Sequence, residues 1–122
     1  MWCDEETFVK QDELRVGLCT VPDRESALKL ARTLVEERLA ACVNVIPHVT
    51  SVYRWQGAVE ENDEVLLVIK TSASVDLEKM KDRLLTVHPY DVPELLLLPV
   101  SYGLDKYLDW IAQSVQPVPK EG

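Results

Sequence analysis

CVNVIPHVTSVYRW (42–55), Gln56-Gly57, AVEENDEVLLVIKT (58–71): two long β-rich runs joined by a two-residue turn read as one hairpin, and the rest of the chain is arranged around it. Valine, isoleucine, threonine, tyrosine and tryptophan fill the first arm, and these side chains fit a pleated, half-buried surface. Pro47 has no N–H to give to a ladder, so it marks a bulge or an edge. At about 3.3 Å per residue, each arm reaches roughly 46 Å. That is about twice the reach of the strand expected near the N-terminus.

Toward the N-terminus, Ala27, Leu30, Ala31, Leu34 and Val35 recur at helical spacing, which predicts a helix from an Asp23 cap to about Ala41. Before it, LRVGLCT (14–20) alternates as a strand. In the other direction, Ser74 is placed to cap a second helix. Asp76 and Glu78 lie in its first turn, and Leu77, Met80, Leu84 and Leu85 on its inner face. His88 and Pro89 end that helix. ELLLLPVS (94–101) reads as the last strand, and Leu104, Tyr107, Leu108, Ile111 and Val115 as a third, short helix. The order is βαββαβ with an added helix. This predicts an α+β fold: a ferredoxin-like sandwich with an extra C-terminal helix and a long central hairpin. One domain is expected over 14–115, between a disordered acidic lead (1–13) and a disordered tail (116–122).

Composition narrows the function. Thirteen Lys and Arg against 21 Asp and Glu leave a net charge of -8, which repels phosphate backbones and anionic membrane surfaces. Nucleic acid and membrane are therefore not expected as partners. The longest wholly apolar run, Leu95 to Val100, is far short of a membrane span, and the opening MWCDEE is acidic where a signal peptide is basic. Cys3, Cys19 and Cys42 are odd in number and form no CxxC pair, so neither a disulfide framework nor a structural zinc site is expected. A reducing, cytoplasmic location follows. The chain has no HExxH, no nucleophile elbow and no glycine-rich phosphate loop, so it is not read as an enzyme, and no organic cofactor is expected.

The candidate site comes from topology. In a split βαβ fold the first and last strands are antiparallel neighbours, so Cys19 ends up at the same end of the sheet as Glu94, with His88 just upstream. HPYDVPE (88–94) is stiffened by Pro89 and Pro93. A thiol, an imidazole and a carboxylate suit copper or zinc better than magnesium, weakly bound, with a coordination position left open. The same residues also admit a purely structural reading: Cys19 as a small buried side chain, His88 as a helix stop, Glu94 as a hydrogen-bond partner. Cys42 is expected to pack in the core and His48 to lie on the hairpin surface. Glu60, Glu61, Asp63 and Glu64 read as solvated edge protection. Val65 to Ile69 and Leu95 to Leu98 are apolar on both alternating faces, more than two helices can cover, so a homo-oligomer is expected.

With CTVPDRESA, LAACVNVIPHVTSVYRWQG, EVLLVIKT, HPYDVPELLLLPV and YLDWI in place, the chain closely resembles the CutA family of divalent-cation tolerance proteins, from Val16 to Ser114. The resemblance implies a homotrimer with hairpins extended onto neighbours, a role in tolerance of copper and other divalent cations, and metal contacts at Cys19 and His88. Val87 stands where some members carry a second histidine. The alternatives are small-ligand signalling of the PII type, which shares the trimeric architecture, or a structural trimer without a physiological metal. Against the PII type, Gln56-Gly57 occupies the place of the long loop those proteins carry.

Overall fold

Gln56 (φ 49°) and Gly57 (φ 83°) both adopt the left-handed backbone that a two-residue turn between twisted strands requires. From that turn β2 (Cys42–Trp55) and β3 (Ala58–Ser72) zip from Trp55↔Ala58 down to Cys42↔Lys70. The ladder slips once, between Ile46 and Val49, where Pro47 cannot donate and His48 turns to φ 63°. The bulge expected at Pro47 is therefore present. The computed structural model describes residues 13–117, so all of the expected lead but Glu13, and all of the expected tail but Gln116 and Pro117, lie outside the described residues.

The remaining elements are β1 (Leu14–Val21), α1 (Arg24–Glu36), α2 (Leu77–Val87), β4 (Leu96–Pro99) and α3 (Asp105–Ser114). The antiparallel sheet has the order β2-β3-β1-β4, which is the expected ferredoxin-like arrangement. On one face Cys19, Val21, Leu67 and Ile69 are buried with Ala27, Leu30 and Leu34 of α1 and Met80 and Leu84 of α2. Gly17 sits within that sheet because a Cβ there would lie 3.0 Å from Leu97 Cδ2 and 3.2 Å from Ile69 Cβ. Glu37, just past α1, ties the helices together. It accepts from Arg83 Nε at 2.8 Å and pairs with Lys79 Nζ at 3.4 Å. The Arg83 hydrogen bond, with Lys79 adding to it, holds its carboxyl below the usual range.

The opposite face is covered only in part. Leu18, Leu66 and Val68 are half-buried, while Ile46, Leu96 and Leu98 are exposed. Register pairs Leu18 with both Val68 and Leu96, and Ile46 with Leu66, so these side chains form one apolar surface. The pairing of β3 with β1 begins at Val65, so residues 49–64 project past β1 as a two-stranded arm. Trp55, Val52 and Val59 are exposed along it.

Four expectations are corrected. α1 stops at Glu36 rather than near Ala41, because Arg38 turns to φ 59° and the amides of Leu39 and Ala40 both fold back to the Leu34 carbonyl. Asp76, not Ser74, caps α2, accepting from the Lys79 amide at 3.0 Å, while Ser74 is engaged with Ser72. Leu77 and Leu85 face outward, as do Leu104 and Tyr107 near α3, leaving Met80, Leu84, Leu108 and Ile111 to fill the core. The last strand is four residues long, bounded by Pro99.

Candidate functional site

Everything sequence topology brought together meets at Thr20, the penultimate residue of β1. Pairing of β1 with β4 reaches Leu18↔Leu96, which leaves Glu94 beside the end of β1. The Thr20 hydroxyl donates to Glu94 Oε1 at 3.4 Å. The Thr20 carbonyl accepts from His88 Nε2 at 2.7 Å, and the Cys19 thiol lies 3.9 Å from the same oxygen. The three predicted residues thus converge on one backbone residue.

His88 is the C-cap of α2 and is only 5% exposed. The Tyr90 amide donates to its Nδ1 at 3.1 Å. A carbonyl can only accept and an amide N–H can only donate, so the ring is neutral with its proton on Nε2. Both nitrogens are spent. Cys19 points into the helix-covered face and is fully buried. Burial first, then the charges of Glu94 and Glu64, push its thiol up to about 12. A metal needs a thiolate and an imidazole lone pair, and this packing offers neither. Among the described residues, no group of three or more His, Cys, Asp and Glu is placed to hold a metal ion. As packed, the residues do not fit a resident metal centre.

Two further residues belong to the site, and sequence reasoning misassigned one of them. Glu64 is 8% exposed, not solvated like Glu60, Glu61 and Asp63 beside it. Its Oε2 accepts from Tyr90 Oη at 2.8 Å. Burial, followed by that bond and the Glu64 charge, raises the Tyr90 phenol above its usual range. The Tyr90 and His88 rings pack at 4.9 Å between centroids. The one sequence signal for Glu64 was its place at the mouth of the apolar run EVLLVIK. Cys42 is half-buried rather than a core residue, and His48 is exposed on the bulge as expected.

The family described as CutA1 divalent ion tolerance protein matches residues 15–114. The chain is 50% identical over 99 residues to a divalent-cation tolerance protein CutA of Thermus thermophilus, covering 81% of this chain and 95% of that one. It is 48% identical over 97 residues to a chloroplastic CutA of Arabidopsis thaliana, covering 80% of this chain but 53% of that longer protein. Among solved structures, CutA1 of Oryza sativa superposes with a TM-score of 0.82 at 40% identity, over 92% of this chain and 99% of that one.

Proposed function

The chain belongs to the CutA1 divalent ion tolerance family, and we propose that it works as a homotrimer which takes up copper or zinc as transient ligands and catalyses no reaction. The observation that carries the assembly is the second sheet face. Leu96 and Leu98 are exposed beside half-buried Leu18, Leu66 and Val68, a contiguous apolar surface of the kind that subunit contacts cover. The projecting arm, with Trp55 and Tyr53 exposed, supplies a means of reaching a neighbour. Free thiols at Cys19 and Cys42 support a reducing, cytoplasmic location.

For the cation, we assign Glu94 and His88 as contacts, with Cys19 behind them. Binding here is weak by construction, because His88 must give up a hydrogen bond and Cys19 a proton. Affinity therefore rises with pH. A second reading is favoured by the engaged state of both His88 nitrogens: the Thr20 corner is structural, and the trimer holds no metal there.

Calorimetric titration of Cu and Zn at two pH values, on the parent, Cys19→Ser and His88→Ala, separates the two readings. The cation reading expects binding that strengthens with pH and falls sharply in His88→Ala. Equal binding by all three proteins establishes the structural reading instead.

A further inference from the structure

We infer that the cavity between the C-terminal ends of α1 and α3 is a binding site for a small zwitterion, a free amino acid whose ammonium is held at Glu36 and whose carboxylate is held by Arg38. The site stands apart from the Thr20 corner and from the cation reading. α1 begins beside that corner, at Arg24, and its 13 residues run about 20 Å to the cavity at the other end.

Val35, Glu36, Arg38, Ala40, Ala41 and Ser114 line an open cavity of about 270 Å³. Sites for drug-sized ligands hold roughly 300–1,000 Å³, so the occupant here is small. Ala40 and Ala41 are buried and Val35 is exposed, which offers apolar contact to a short side chain. Two helices end at this cavity. α1 stops at Glu36 and α3 at Ser114, and neither carries a basic side chain in its last turn. Their carbonyl ends therefore attract a positive group. Arg38 answers that need for α3 alone, where its Nη1 donates to the Ser114 carbonyl at 3.5 Å and the Gln116 carbonyl at 3.4 Å.

The charges at the cavity are unspent. Glu36 and Arg38 are two residues apart in sequence, yet among the described residues they pair neither with each other nor with any other charged side chain. Both carbonyl bonds of Arg38 come from Nη1. Its Nε and Nη2, the parallel edge that grips a carboxylate with two hydrogen bonds, are left without a partner among the described residues. Presenting the guanidinium here takes a left-handed backbone at Arg38 (φ 59°), which a glycine would adopt more readily. A lone anion in the cavity would face the carbonyl ends of two helices, and a lone cation would face Arg38. A molecule that carries both charges a few ångströms apart satisfies Glu36 and Arg38 together.

The test is 15N–1H NMR of the intact protein at about pH 7, titrated with L-alanine, with β-alanine for a wider spacing of the charges, and with propionate and ethylamine, each of which keeps one charge of the pair. At least one of the two amino acids should shift the amides of Arg38, Ala40, Ala41 and Ser114 along a saturating curve. Propionate and ethylamine at equal concentrations should not saturate them. Glu36→Gln removes the partner of the ammonium, and Arg38→Gly removes the guanidinium while relieving the backbone. Each should raise the midpoint of the titration about tenfold or more. The proposal is overturned if neither amino acid gives a saturating shift at these amides, or if propionate or ethylamine saturates them at the same midpoint. It is equally overturned if folded Glu36→Gln keeps the midpoint of the parent.

Discussion

Beside the Thr20 carbonyl, which takes a 2.7 Å bond from His88 Nε2, the Cys19 thiol is fully buried, and burial with the nearby Glu94 and Glu64 charges makes it inert in the folded protein. With its pKa pushed from an ordinary 9.0 to about 12, the thiol should resist alkylation at about pH 8 until the protein unfolds. The linkage has a definite sign. Unfolding lets the thiol ionise near 9 while the native state holds the proton to about 12, so Cys19 costs no stability below 9 and destabilises progressively between those values. Alkaline denaturation of the parent should be steeper there than that of Cys19→Ala by up to one proton, read as the pH slope of the urea midpoint. Convergence of Cys19, His88 and Glu94 was legible in the sequence because strand order alone brings them together. Their roles were not. Which His88 nitrogen is protonated depends on the Tyr90 amide and the Thr20 carbonyl, and the burial of Glu64 depends on a phenol distant in sequence, so neither leaves a local pattern.

Among the elements, helix starts and strands were readable where the chain carries its own punctuation. Asp23 accepts from the Ser26 amide at 2.7 Å, and Gln56-Gly57 makes the turn. α1 ends at an arginine in left-handed backbone, with no glycine or proline to announce it, so periodicity ran on through Leu39 to Ala41. Those residues are still buried, but as a connector whose last amide, that of Ala41, joins the sheet at the Lys70 carbonyl. At α2, either Ser74 or Asp76 had the chemistry of a cap, and the Ser72 side chain decides between them by accepting from the Ser74 amide. Asp76→Ala should therefore cost about 1 kcal/mol in chemical denaturation, whereas Ser74→Ala should lose much less of the helix start.

The whole molecule presents an apolar sheet face and a projecting arm that one protomer leaves uncovered. Light scattering at micromolar concentration should report a trimer. A stable, folded monomer would show that neither feature is an interface. Trp55→Ala tests the arm separately. If the indole packs on a neighbour, its loss should cost on the order of 3–5 kcal/mol and lower the thermal midpoint of the assembly. The same arm also shapes how the polypeptide acquires its structure as it leaves the ribosome. Its two halves are adjacent in sequence and meet across a two-residue turn, so the hairpin can zip as soon as both have emerged. LRVGLCTV, by contrast, is synthesised early yet must wait for Val65 to meet Val21 and for Pro99 to meet Arg15. The hairpin is then the template onto which this older strand is laid back, and β4 closes the sheet last. Until that moment the waiting strand is the segment most open to capture by another nascent chain.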